Sequence, residues 1–334
     1  MSNPAVHAGA TGPVGVERGA PPAALRVRRR PRPWNWLAGA LTLVFAALLV
    51  AALVVNPNFE WGVVAENLFS TQILAGLGRT LQLTVLSMLV GVVLGTLLAV
   101  MRGADNLAVS GAASLYVWFF RGTPLLVQLI FWYNLSSLYP TLSFGIPGTS
   151  WQVGALATNS VISPYTAALL GLGLNQAAYT AEIVRAGILS VPHGQLDAAA
   201  SFGMSRAMTM RRVVLPQAMR VIIPPVGNET IGMLKTTSVV SVLAMPELLY
   251  SAQIIYARTY QIVPLLIVAS LWYLAVTSLL TLVQVRIERV YAVRGPSSDA
   301  GPWSAFAQRV FRVHAAPVPA VADTTAPSPT GGAR

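Results

Sequence analysis

Apolar residues in this chain come in long uninterrupted blocks, not in the alternation of a half-buried strand or the narrow stripe of a surface helix. Six blocks stand out, at 34–55, 78–101, 114–138, 165–188, 219–244 and 262–286. Asp, Glu, Lys and Arg are absent from Gly122 to Ala181, from Thr80 to Met101 and from Thr259 to Val285. About 20 apolar residues cross a bilayer as a helix, and lipid offers no partner to backbone N–H and C=O groups, so each block predicts a membrane-spanning helix. The fold class is all-α, a polytopic transmembrane helical bundle. The sides of the membrane follow from the loops. Arginines gather before the first block (Arg26, Arg28, Arg29, Arg30, Arg32), at Arg102, in the 189–218 loop (Arg206, Arg211, Arg212) and after the last block (Arg286, Arg289, Arg294). These segments are predicted cytoplasmic, both termini included. The 56–70 loop with Glu60 and Glu66, the uncharged 139–163 loop, and the loop with Glu247 and Arg258 are predicted outside. Arg79, at an outer helix end, is the exception, and a long side chain can snorkel from such a place.

Composition agrees. Of 334 residues, 54% are hydrophobic and 10% charged, against about 25% charged in a soluble domain. The net charge of +11 does not predict nucleic-acid binding, because its arginines follow the membrane sides and form no basic stripe interleaved with exposed aromatics. Cysteine is absent, and His7, His193 and His314 are far apart. No thiol chemistry, metal site or catalytic set is expected. Residues 1–33 and 293–334, rich in Pro, Ala and Gly or Ser and Thr, predict disordered tails. The first block is too long, and its positive charge comes too late, for a cleaved signal peptide. It predicts a true helix over 34–56 with Trp34 and Trp36 at the interface.

Small residues fall at Gly91 and Gly95 in the second block, a spacing that lets helix backbones approach closely in lipid. Packing within the chain is the expected use. The segment richest in chemistry is the 189–218 loop. Pro192 and Gly194 break the incoming helix. Asp197 is placed near the start of the next short helix, where a carboxylate suits the positive end. Ala198, Ala199 and Ala200 favour helix with a thin face. Gly203 stops it or admits another chain, and Pro216 marks the approach to the fifth block. This is a compact helix-turn-helix outside the membrane, suited to docking in another protein's groove.

The pattern Asp197-Ala-Ala-x₃-Gly203-x₉-Val213-x-Leu215-Pro216 resembles the EAA loop of bacterial ATP-binding-cassette (ABC) importer permeases, with Asp where Glu is usual. Val191-Pro-His-Gly-Gln195 and Leu215-Pro-Gln-Ala218 narrow the resemblance to the polar amino-acid permeases of the histidine, glutamine and arginine type. Gly78-Arg-Thr-Leu-Gln-Leu83, Arg121-Gly-Thr-Pro-Leu-Leu-Val-Gln128 and the stretch from Asn228 to Ser238 agree in order. The similarity covers about 72–292. It implies a five-helix permease core plus one extra N-terminal helix, in the bacterial cytoplasmic membrane. It also implies that two permeases pair, from the same or a different chain, that ABC ATPase subunits dock on the EAA loops, and that an extracytoplasmic binding protein delivers the amino acid. ATP and Mg would sit on the partner ATPase. No Gly-x₄-Gly-Lys-Ser/Thr loop surrounds the single lysine, Lys235, so no phosphate cradle is expected here.

The resemblance makes His193, Gly194, Gln195, Asp197, Ala198, Ala199, Gly203, Leu215 and Pro216 the candidate ATPase-docking residues. His193 reads as a solvated turn residue and Gly194 as a shape residue. Glu182 and Arg185, three apart, predict a pair on one helical face. Arg121 and Gln128 are expected on one face, with Arg121 anchoring a cytoplasmic helix end. In the fifth span, Glu229, Gly232, Met233 and Thr236 fall on one face and Asn228 and Lys235 on a neighbouring stripe. Charges within a span face a cavity or a partner. Asn228, Glu229, Lys235 and Thr236 are therefore candidates for the translocation path, with a structural salt bridge to another helix as the competing reading. An ion-gradient-driven secondary transporter is the alternative function. It would favour paired broken helices and repeats, and no segment here has a clear second copy.

Overall fold

The computed structural model describes residues 33–145 and 152–291. The tails expected at 1–33 and 293–334 lie essentially outside these residues. The chain forms two units, 1–56 and 57–334. The first holds α1 (Pro33–Val55). Its 23 residues rise about 34 Å, enough to cross the hydrocarbon, and its candidate spanning segment has 0% of its residues buried.

The second unit begins with a 3₁₀ turn (Pro57–Phe59), α2 (Trp61–Leu68) and α3 (Thr71–Arg102). The segment expected as an outer loop is thus helical. Val64 and Leu68 of α2 pack with Ile73, Leu248, Leu265 and Val268, and this burial supplies what the short sequence lacks in apolar length. Then follow α4 (Leu107–Gly122), α5 (Leu125–Tyr133), α6 (Leu135–Leu138), the strands β1 (Thr141–Gly145) and β2 (Gln152–Ala157), and α7 (Thr158–Val161). The expected single span over 114–138 is instead two helices bent by 102°. The cause is Pro124, which lacks an N–H and pushes Thr123 into extended backbone (φ −109°, ψ 142°). The long 139–163 loop contains an antiparallel hairpin, β1 with β2. At its base the Thr158 amide donates to the Pro140 carbonyl at 3.0 Å and its hydroxyl to Tyr139.

Next come α8 (Pro164–Leu189), α9 (His193–Ser201), α10 (Arg206–Thr209), a π-helical stretch (Met210–Val214), α11 (Leu215–Thr236), a 3₁₀ stretch (Thr237–Leu243), α12 (Leu248–Thr259) and α13 (Ile262–Tyr291). Of the six expected spans, α1, α3 and α13 are long and apolar enough on their own, and α4–α5 and Arg206–Leu243 with α12 qualify as bent pairs. The 26-residue α8 is not among them. Its Asn175, Gln176, Glu182 and Arg185 lower its hydropathy, and it has no need of lipid-facing side chains because it is the central helix, packed on α3, α4, α5 and α11. Ala167, Ala168, Leu172, Ala177, Ala178 and Ala181 are fully buried.

The closest packing is between α3 and α8. A Cβ added at Gly91 would stand 2.5 Å from Gln176 Cγ, and one at Gly95 2.6 Å from Thr180 Cβ and 2.7 Å from the Ala177 carbonyl. The small-residue spacing therefore serves packing within the chain, as expected. The opposite face of α3 exposes Val85, Leu89, Val93 and Leu97, an apolar stripe suited to lipid.

Two charged residues used to orient the loops have specific posts. Glu247 is not in a solvated loop: it is fully buried and caps α12. Its carboxylate accepts from the amides of Tyr250 (2.7 Å) and Leu249 (2.9 Å) and from the Tyr273 hydroxyl (3.0 Å). Capping satisfies N–H groups at a helix start that nothing else would reach. Arg79 donates to the Pro246 carbonyl at 3.0 Å, which fixes α3 to the same corner.

Candidate translocation cavity and coupling loop

The break between α4 and α5 leaves backbone carbonyls without helical partners, and amide side chains take them up. Gln128 Nε2 donates to the carbonyls of Phe120 (3.0 Å) and Thr123 (3.1 Å). Asn175 Nδ2 donates to Phe120 O at 3.0 Å and to Gln128 Oε1 at 3.3 Å. Because the helix stops between them, Arg121 and Gln128 do not share a face. Arg121 stands in the last turn of α4, at a helix end as expected, although that helix starts at Leu107 rather than 114.

Beside this corner α5, α8 and α11 enclose a cavity of about 260 Å³, lined by Leu125, Asn175, Gln176, Tyr179, Glu229 and Thr236, with Leu172, Gly232 and Met233. Four of these fall on the face of α11 expected from the sequence. Glu229 is half-buried, and its carboxylate accepts from Gln176 Nε2 at 3.4 Å. None of the ion pairs among the described residues includes Glu229 or Lys235. The salt bridge that competed with the path reading does not form among the described residues. Asn228 and Lys235 are exposed and do not line the cavity. The Thr236 hydroxyl is turned back to Gly232 O at 3.1 Å. Asn175, Gln176 and Tyr179 were not singled out from sequence, although an Asn-Gln pair inside a charge-free span is a signal of the same kind as Glu229. A second cavity of about 320 Å³, between α3, α8, α11 and α13, is walled mainly by Val92, Val184, Ile222, Ile223 and Val226 and offers little to a charged molecule.

One turn along α8, Glu182 pairs with Arg185 at 3.2 Å, as the three-residue spacing predicts, and also with Arg102 at 2.8 Å and Arg121 at 3.3 Å. The Arg121 guanidinium lies 5.4 Å from the centre of the Tyr179 ring. One carboxylate thus ties α3, α4 and α8.

The 189–218 loop leaves α8 at Leu189. Pro192 precedes α9, and the Gln195 amide donates to Pro192 O at 2.9 Å. Asp197 is in the second turn of α9, with no acidic residue in the first, so it does not complement the helix start as expected. The helix begins four residues earlier because Pro192 has the extended ψ of a cap, 137°, and no N–H to satisfy. Gly203 has φ +68°. Met204 N donates to Ala199 O (3.1 Å) and Gly203 N to Ala200 O (2.9 Å), the paired bonds of a Schellman stop that glycine adopts without strain. His193, Gly194, Gln195, Asp197, Ala198, Gly203, Leu215 and Pro216 are exposed, whereas Ala199 is buried and supports the loop from beneath. Before Pro216 the helix widens, with the Leu215 amide bonded to Met210 O, five residues back. The proline ring would otherwise clash with a carbonyl one turn earlier.

A central buried helix, lipid-suited outer faces, a polar cavity and an exposed loop of small residues define a membrane permease. Residues 91–292 match the family described as binding-protein-dependent transport system inner membrane component. The chain is 44% identical over 272 residues (81% of it, 84% of the relative) to the arginine transport system permease protein ArgU of Corynebacterium glutamicum. It is 36% identical over 214 residues (64% and 86%) to the histidine/lysine/arginine/ornithine transport system permease protein HisM of Escherichia coli. Among solved structures it resembles an amino acid ABC transporter crystallised with histidines, at 37% identity and TM-score 0.56, covering 66% of this chain and 94% of that one. The chain belongs to this family of inner-membrane permeases, in its amino-acid ABC transporter branch. It is a multi-pass membrane transport subunit, and ATPase partners follow from membership in an ABC system. Nothing in fold or relatives favours the gradient-driven alternative.

Proposed function

We propose that this chain is the permease of an importer for a cationic amino acid of the arginine type. Glu229 carries the reading: it is a half-buried carboxylate, without a cationic partner in the described chain, facing a cavity of about 260 Å³ with amides beside it. A charge inside a span needs a partner, and a guanidinium or ammonium of the substrate supplies one. The names of relatives at 44% and 36% identity point the same way. Both termini and the His193–Pro216 loop lie on the cytoplasmic side, as the arginine distribution indicates. ATPase subunits, which carry ATP and Mg, dock on that loop. A second permease, identical or different, completes the path, and an extracytoplasmic binding protein delivers the amino acid. The permease core is 72–292, with α1 outside it.

The test is purification with a candidate ATPase in nanodiscs, followed by arginine uptake in proteoliposomes with the binding protein. A complex lost on replacing 197–203, and uptake lost in Glu229→Gln with assembly intact, support the reading. A chain that binds no ATPase, or a Glu229→Gln variant with unchanged uptake, overturns it.

A further inference from the structure

The charges around Glu182 do not balance. Three guanidiniums meet one carboxylate, leaving a surplus of two positive charges inside the membrane unit. Each guanidinium has five N–H donors in a fixed fork and directs one nitrogen at Glu182. Arg121 and Arg185 remain 45% and 43% exposed, so their other donors face open space. Surplus cations gathered at adjoining helix ends persist only against water or an anion.

The place of the cluster names the anion. Tyr179 lines the cavity and also carries the Arg121 guanidinium over its ring. Glu182 follows three residues later, toward the end of α8 that leads into the coupling loop. From Gln176, which holds Glu229, to Glu182 the helix rises about 9 Å, the length scale of an extended arginine from guanidinium to carboxylate. Arginine forks match a carboxylate through two parallel bonds.

We infer that Arg121 and Arg185, held by Glu182, form an anion site below the cavity that takes the α-carboxylate of the amino acid while Glu229 takes its cationic end. This rests on the proposed function of the cavity. The two sites together measure the substrate: a molecule with both charges at long separation engages both, and a short neutral amino acid reaches one. Glu182 is a positioning residue, since it aims the guanidiniums and does not touch the substrate.

The test is direct binding to the purified permease–ATPase complex by calorimetry, with arginine and with agmatine, which lacks the carboxylate. The intact complex is expected to prefer arginine about tenfold, the effect of one good charge-assisted contact. Arg121→Gln with Arg185→Gln is expected to erase that preference by weakening arginine alone. Arg185→Gln by itself, which leaves two arginines on Glu182, provides a milder variant and is expected to narrow the preference to about threefold. Arg121→Lys is expected to restore part of it. A preference unchanged in the double and the single variant overturns the anion site. Glu229→Gln separates the two readings: it weakens arginine and agmatine alike if the cavity holds the cationic end. If it weakens neither, the cavity reading fails first.

Discussion

Glu229 and Glu182 are the same side chain in neighbouring helices of one unit, yet their surroundings are opposite. Glu182 has three arginines within 3.3 Å. Glu229 has none and leans on one amide at 3.4 Å. A carboxylate bonded from three helices is committed to structure, because moving any one helix breaks a charge-assisted bond. A carboxylate left without a cation beside a cavity is available to a ligand. The difference teaches that charge in a span has to be counted with its partners before it is assigned a role.

The largest expected effect breaks the comparison from the open side. Glu229→Gln keeps shape and the Gln176 contact and removes the charge. Uptake of arginine is expected to fall by about a hundredfold, the loss of a desolvated ion pair with the substrate, while the melting temperature in detergent stays the same. A variant that melts lower but transports normally would show that Glu229 is structural after all. Glu182→Gln should differ in acting on stability as well as on the guanidiniums it aims. It leaves three arginines facing one neutral amide, and a cost of about 2 kcal/mol in stability is expected for a partly exposed cluster, read as a lowered melting point of the solubilised chain.

How much of this contrast could be seen in the sequence depends on distance along the chain. The Glu182–Arg185 pair is local, and the three-residue spacing was sufficient. Arg102 and Arg121 are 80 and 61 residues from Glu182, and only the packing of three helices brings them there. The face of α11 with Glu229 and Thr236 was legible from the 3.6-residue period, but its cavity needed Asn175 and Gln176 from α8. The bend at Pro124 was hidden because residues on both sides are apolar, and hydropathy carries no record of direction. Glu247 misled for a related reason: a charge between two apolar blocks reads as solvated loop, while its burial depends on α3 and α13 closing over a helix start. The stop at Gly203, by contrast, is written in six consecutive residues, 199–204, and was one of the two uses expected of that glycine.

The glycines of α3 offer a way to disturb each carboxylate separately. Gly91 lies against Gln176, the residue that holds Glu229, and Gly95 against Thr180 and Ala181, just before Glu182. A methyl added at either position meets an atom at 2.5–2.6 Å, and overpacking of this kind costs about 1–3 kcal/mol. At Gly91 the obstacles are Gln176 Cγ at 2.5 Å and Cβ at 2.8 Å, at the root of that side chain, so Gly91→Ala is expected to displace Gln176 and to lower arginine uptake together with stability. At Gly95 the obstacles include the Ala177 carbonyl and the Ala181 amide, which cannot move alone, so Gly95→Ala is expected to lower stability more than uptake. Measuring both quantities for both variants tests whether the two carboxylates are as independent as their partners suggest. Equal profiles would mean that α3 and α8 respond as one body.

The smallest effect comes from a third carboxylate. Asp105 stands 3.6 Å from Arg206, with side chains 96% and 97% exposed. It has one cation, more than Glu229 and fewer than Glu182, so a role read from partner number alone would place it between them. Exposure decides otherwise. In water two unit charges at such a distance attract by about 1 kcal/mol before side-chain entropy is counted, and measured surface pairs fall at about 0–1 kcal/mol. Asp105→Asn is therefore expected to change stability by less than about 0.5 kcal/mol, and 0.5 M salt should bring variant and parent together, since the screening length there is shorter than about 8 Å. The melting point of Glu182→Gln should keep more of its deficit in the same salt, because Glu182 and Arg102 are only 26% and 18% exposed. A salt response of equal size at both positions would mean that the Glu182 cluster is wetter than its 26% exposure implies, and it would remove the structural half of the contrast.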